Sequence, residues 1–219
     1  MLVLASASPR RALLLEEGGY NFVTVKADVS EELPQGIRPE DGVKALALRK
    51  ALAGLDAWLA AGGSPEDVIL GADTIVALDT QILGKPTDEV DAEKMLLQLS
   101  GRQHEVYTGV ALVTGTGRQQ ENHAIQTNVY FRPIAREDIR AYIATGEPMD
   151  KAGAYAIQGG AGRFVDHFEG SLSNVIGLPM EYVSEQLKAW GIEQVIIALR
   201  EVEHGLSSLK GFAGGTSTP

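Results

Sequence analysis

Val68-Ile69-Leu70-Gly71-Ala72-Asp73-Thr74-Ile75-Val76 is the stretch on which the fold turns. Val68 to Gly71 contains no polar side chain, the mark of a strand covered on both faces, as in the central sheet of an α/β protein. A single acid then interrupts the run, before the β-branched Ile75-Val76 resumes it. A carboxylate where a central strand leaves the sheet stands where α/β proteins bind ligands, and it suits holding a divalent cation or activating water. The plainer alternative is an Asx residue shaping a turn.

Working outward, short β-rich runs alternate with longer amphipathic segments, which predicts an α/β fold around a central sheet. Upstream, Met1 to Leu4 and Phe22 to Val25 read as strands. Ser8 followed by Pro9 is an N-cap and a first helical residue, opening a helix that Gly18-Gly19 ends. Pro39 to about Ala61 reads as a long helix with Val43, Leu46, Ala47, Lys50 and Ala51 on one face. Downstream, Asp79-Thr80 turns the chain into Ile82-Leu83, and Asp88 to Leu99 is helical. His104 to Thr114 and Ala124 to Arg132 read as long strands, joined by a polar turn around Gly115 to Gly117. A helix over Arg136 to Thr145 precedes a glycine-rich loop from Glu147 to Gly162. A strand over Arg163 to Phe168, an irregular loop from Gly170 to Pro179 and a helix over Met180 to Trp190 complete the pattern. A short strand at Val195 to Leu199 and a frayed tail from Gly211 to Pro219 are expected beyond it.

The 219 residues suit one large domain or two small lobes with a shared core, and 44% hydrophobic against 22% charged residues is a globular make-up. The net charge of −10 disfavours duplex nucleic acid and anionic membrane as partners. There is no cysteine, so a metal would be held by oxygen or by the four histidines. No run approaches the roughly 18 apolar residues of a membrane span, and no leader pattern stands at Leu2-Val3-Leu4, which together predict a cytoplasmic protein.

Chemistry gathers at four places. Ser6-Ala7-Ser8-Pro9-Arg10-Arg11 sits at a strand-to-helix turn, where free N–H groups, hydroxyls and guanidiniums suit a phosphate; a plain helix cap with solvated arginines is the alternative. Asp73 is the second. Glu31, Lys50, Lys85, Asp150 and Lys151 are the third, each ordinary surface charge if taken singly, but together a source of oxygen ligands and point charges for a phosphoanhydride. The fourth is Gln158, whose planar amide between glycine-rich flanks would meet a flat heterocycle, or else satisfy loop carbonyls. His104 has no second histidine at ligand spacing and reads as structural. Neither a Walker A nor a dinucleotide fingerprint follows a strand.

Eight blocks in order, ASASPRR, DVSEE, LRKALA, GADTIV, GKP, LSGRQHEVYTGV, GEPMDKAGAYAIQG and GSLSNVIGLP, resemble the Maf family of nucleoside triphosphate pyrophosphatases from Leu2 to about Trp190. The resemblance implies an inosine-triphosphatase-like α/β fold, with a twisted mixed sheet flanked by helices and two lobes around a cleft. It implies a domain over residues 1–190, followed by a partly disordered extension over 191–219. It also implies cleavage of a triphosphate between the α- and β-phosphates with Mg²⁺ or Mn²⁺. Asp73 matches the family's proton acceptor, Ser8 and Arg11 its phosphate loop, and Glu31, Lys50 and Lys85 charged residues of its active centre, with Asp73 and Glu31 toward the metal. Arg10, Thr74 and Gln158 match positions that separate substrate branches, in the combination of the dTTP/UTP branch. The rivals are 7-methyl-GTP or another non-standard triphosphate as substrate, and a nucleotide-binding regulator of septum formation. The expected partner is a small triphosphate, and a homodimer is compatible with the family.

Overall fold

The computed structural model describes residues 1–116 and 120–195. Seven strands form one mixed sheet in the order β2-β1-β3-β5-β6-β7, with β4 on β3. They are β1 (Leu2–Ala5), β2 (Phe22–Val25), β3 (Val68–Leu78), β4 (Gln81–Leu83), β5 (Gln103–Val113), β6 (Gln120–Phe131) and β7 (Val165–Glu169). The helices are α1 (Pro9–Glu17), α2 (Pro39–Ala60), α3 (Glu89–Leu99), α4 (Arg136–Ile143), α5 (Leu172–Ile176) and α6 (Met180–Ala189).

The expected α/β architecture is what forms, and β3 organises it. Its first residues, Val68 to Leu70, pair in parallel with Leu2 to Leu4, while Ile69 to Ala77 pair antiparallel with β5. On the β1 side the pairing stops at Leu70 and resumes only at Val76, where β4 joins. Gly71 to Ile75 therefore have an uncovered edge, although β3 itself continues unbroken. The expectation that Asp73 lies where the strand leaves the sheet is corrected in this sense: β1 ends, not β3.

Helix α2 packs over the middle of the sheet at backbone contact. A Cβ on Gly71 would lie 2.4 Å from the Ala47 carbonyl oxygen, and one on Gly109 would lie 2.2 Å from that of Val43. Only glycine permits that approach. The core divides along the long strands: Leu70, Ala72, Val110 and Leu112 pack with α1 and α6, whereas Val76, Leu78, Val106 and Phe131 pack with α3 and α4. Burying one such aliphatic side chain contributes about 1.5–3 kcal/mol, so each end of the sheet has its own apolar support.

Other local expectations shift by a few residues or gain structure. The segment read as a loop from Glu147 contains 3₁₀ turns at Glu147–Asp150, Ala152–Ala154 and Gly160–Phe164, the last taking the start of the strand expected at Arg163. Ser171 caps α5 by accepting the Asn174 N–H, so the loop read at Gly170 to Pro179 is partly helical. β6 starts at Gln120, four residues before its expected start. Ser8 occupies the N-cap of α1, but its side chain makes no capping bond. The strand expected at Val195 to Leu199 lies outside the described residues except for Val195, whose N–H meets the Gly19 carbonyl at 2.8 Å. The expected tail lies outside them altogether. No helix among the described residues is long and apolar enough to cross a membrane.

Candidate active site

A cleft of about 440 Å³ opens at the uncovered edge of β3. Strand alternation sends Asp73 toward the α2 face and Thr74 toward the α1 face, yet both reach the cleft because no neighbouring strand closes that edge. Two consecutive residues thus reach the cleft from opposite faces of the sheet.

On the α2 face, Lys50 donates to Asp73 Oδ1 at 2.5 Å and to Glu31 Oε1 at 2.8 Å. Lys85, on the loop after β4, stands 3.8 Å from Glu31 Oε2. Lys50 and Asp73 are largely shielded from water, with side chains 13% and 11% exposed, whereas Glu31 and Lys85 are open at 52% and 59%. Charges withdrawn from water interact more strongly, so the inner pair dominates. The hydrogen bond from Lys50 holds the Glu31 carboxyl below the usual carboxylate range, against a smaller opposing effect of burial.

On the other face Arg11 is buried and mostly committed. Its Nε donates to the Gly177 carbonyl at 2.8 Å, Nη1 to Ser6 Oγ at 3.3 Å and Nη2 to Thr74 Oγ1 at 3.1 Å. Burial lowers its pKa, and nearby Asp73 works in the opposite direction. Three of its five donors are used within the fold, which makes it a tie between the first loop, β3 and the end of α5. Arg10 and Ser8, half-exposed, line the cleft from the α1 terminus, where free N–H groups favour anions.

Gln158 lies exposed on the far rim, and its amide has no hydrogen-bond partner among the described residues. Asp150 and Lys151 pair with each other on the same rim. The structure therefore brings Ser8, Arg10, Arg11, Glu31, Lys50 and Asp73 to one cleft with Thr74, Lys85 and Gln158. Five cations and three carboxylates line it, a local excess of positive charge in a chain of net charge −10.

Two supports escape a reading of the sequence. Thr74 Oγ1 meets Thr108 Oγ1 at 2.9 Å, and Thr108 donates to the Asn174 carbonyl, while Asn174 Nδ2 donates to Val106 and Thr127. Tyr142 and Glu147 brace the far rim. Thr and Asn carry no signal at those spacings; these Thr and Asn contacts join residues 34 to 68 positions apart. His104 is fully buried, 2.8 Å from the Tyr155 hydroxyl and edge-on to Phe131. Desolvation lowers its pKa to about 4, so it is neutral near pH 7.

No group of three or more His, Asp or Glu side chains suited to a metal occurs among the described residues. The available set is Asp73 with Glu31, held on either side of one ammonium. Two carboxylate oxygens fit a hard cation that takes its other ligands from phosphate and water, as Mg²⁺ does at triphosphate sites.

Comparison with known proteins identifies the family. The family described as Maf-like protein matches residues 1–190. A dTTP/UTP pyrophosphatase of Desulfitobacterium hafniense (strain Y51) is 67% identical over 211 residues, covering 96% of this chain and 95% of that protein. Proteins described in the same words from Geobacter sp. (strain M21) and Pelotomaculum thermopropionicum are 50% and 44% identical over 190 residues, 87% of this chain and 95% and 96% of theirs. The 211-residue alignment necessarily extends past residue 190.

Proposed function

The chain belongs to the Maf family, and from that membership and the geometry of its cleft we propose that it hydrolyses dTTP and UTP to the nucleoside monophosphate and pyrophosphate. The observation that carries this is the meeting of Asp73, Lys50, Glu31 and Lys85 at the open edge of β3. The relatives described as dTTP/UTP pyrophosphatase support the choice of substrate.

In this reading the triphosphate lies along the α1 terminus and the three cations Arg10, Lys50 and Lys85, whose fixed charges oppose the negative charge that builds on the leaving pyrophosphate. Asp73 orients a water and takes its proton as the water oxygen bonds to the α-phosphorus; the bond from that phosphorus to the bridging oxygen breaks, and pyrophosphate leaves with the electron pair. Asp73 and Glu31 would hold Mg²⁺ or Mn²⁺, which when bound supplies Lewis-acid neutralisation of the phosphate oxygens. Lys50, now between those carboxylates, holds Glu31 below its ordinary range and keeps both carboxylates aimed at the cleft. Arg11 holds Thr74 and the first loop in register.

At the far rim the Gln158 amide offers a donor beside an acceptor, the complement of the N3–H and adjacent carbonyl of uracil and thymine. Cytosine reverses that pattern, so the choice between them requires the amide to be held in one orientation, in which cytosine would leave polar groups unpaired at a cost of about 1–3 kcal/mol. The excess of cations is confined to the cleft, which suits a monomeric nucleotide better than a nucleic acid. We read the enzyme as cytoplasmic, where such nucleotides are consumed.

A panel of nucleoside triphosphates, assayed separately for pyrophosphate and orthophosphate, tests the proposal. Pyrophosphate released fastest from dTTP and UTP is the expected result. Orthophosphate as first product, a preference for 7-methyl-GTP, or binding without turnover would each overturn it.

A further inference from the structure

Gln158 stands at the tip of a turn, and both shoulders of that turn are tied to one pair of side chains. The Tyr142 hydroxyl donates to Glu147 Oε1 at 2.9 Å and accepts the Ala156 N–H at 3.3 Å. The Gly160 N–H donates to both carboxylate oxygens of Glu147 at 3.1 Å. Between them, the Gly159 N–H closes onto the Ala156 carbonyl at 3.1 Å. Ala156 and Gly160 are the residues two before and two after Gln158, so the turn is anchored symmetrically about it.

The packing leaves little slack. Tyr142 is 1% exposed on α4 and edge-on to Phe164. A Cβ on Gly159 would lie 1.9 Å from Glu147 Oε1, so the carboxylate occupies the space under the turn. Burial and the bond to Glu147 both raise the Tyr142 pKa, which keeps the phenol a donor. A charged acceptor for a backbone N–H and a phenol is a strong bond by the standards of a surface turn. Glu147 itself lies outside the cleft lining, in which Gln158 stands.

We infer that Glu147, acting with Tyr142, is a positioning residue for pyrimidine selection, because its carboxylate fixes the turn that presents Gln158. The inference rests on Gln158 reading the base. Two parallel hydrogen bonds to a flat base edge require placement to within roughly 0.5 Å, and a free glutamine on a glycine-rich turn does not supply it.

The test is a double-mutant cycle of Glu147→Ala and Gln158→Ala, with Tyr142→Phe as a second, space-conserving probe and Glu147→Gln as the conservative variant. KM and kcat for dTTP, UTP and CTP are measured for each, together with the inhibition constant of inorganic tripolyphosphate, which reports on the phosphate end alone. Glu147→Ala is expected to raise KM for dTTP and UTP about tenfold and to shrink their preference over CTP by a similar factor. Tripolyphosphate inhibition should change by less than about twofold, and the double variant should be no worse than Gln158→Ala. Glu147→Gln, which keeps one acceptor oxygen, should recover most of the preference. Weakened tripolyphosphate binding in step with KM, or multiplicative effects in the double variant, would overturn the inference; so would an unchanged preference in Tyr142→Phe together with Glu147→Gln matching Glu147→Ala. Wild-type protein that releases no pyrophosphate from dTTP or UTP would instead overturn the proposed function, and that result is seen before any variant is made.

Discussion

At one end of the cleft Lys50 joins Asp73 and Glu31 at 2.5 and 2.8 Å, with Lys85 beside them. At the other end Tyr142 and Glu147 hold the backbone of Ala156 and Gly160, and Gln158 is left free to meet a ligand. In the proposed reaction the first end works by charge, through side chains that would touch the reacting phosphates themselves. The second works by placement, and its bracing groups act at one remove. Charge tolerates small displacements because Coulomb energy falls only as the inverse of distance, whereas paired hydrogen bonds to a base edge weaken steeply with angle. Rate should therefore follow the first end and selectivity the second.

The largest break in that division is Asp73→Asn. It keeps the volume of the side chain and removes the proton acceptor, so kcat should fall about 10³-fold while KM and the thermal midpoint stay close to wild type. Steady-state kinetics with a melting curve check it, and wild-type turnover would remove Asp73 from its role. Lys50→Met comes next, with kcat lowered roughly 100-fold for all substrates alike. Because Lys50 is the main influence holding Glu31 below its ordinary range, the acid limb of the pH–rate profile should move upward in the same variant. A change in base preference instead would blur the two ends.

Acid should separate them without any substitution. His104 lies beneath Tyr155 at the base end, and its pKa falls from the ordinary 6.5 to about 4 in the fold. The unfolded chain therefore takes up a proton that the folded chain refuses, and stability declines as pH drops from about 6.5 toward 4. Between pH 7 and pH 5 the loss should be about 2 kcal/mol, read from urea midpoints. A His104→Gln variant should lack most of that decline. Over the same interval Glu31, held low by Lys50, stays ionised and keeps its ion pair with that lysine. The smallest effect is expected from Gln158→Glu, about tenfold in the preference for dTTP over CTP with kcat for dTTP little changed. An unaltered preference would take Gln158 out of base reading.

The same division marks what the sequence discloses. Asp73 stands out because a lone acid inside an apolar strand conflicts with its surroundings, and Lys50 because it falls on the buried face of α2. The strands and long helices follow from periodicity, with ends displaced by a few residues. That β1 stops at Ala5 while β3 runs on to Leu78 is a matter of pairing, which periodicity within either strand does not encode. The base end is harder to read because 3₁₀ turns have no apolar repeat of useful length, and Glu147 looks like any acid in a polar loop. Its meaning lies in Tyr142 and Gly160. Likewise Arg11 reads in sequence as a phosphate-loop or solvated arginine like Arg10, yet it is buried because the end of α5, more than 150 residues later, supplies the Gly177 carbonyl.

Hydrolysis of dTTP in ¹⁸O-labelled water, with each product weighed by mass spectrometry, bears most directly on the claim that Asp73 drives water onto the α-phosphorus. One labelled oxygen in dTMP and none in pyrophosphate is the predicted result. Label in pyrophosphate, or labelled orthophosphate as the first product, would contradict it.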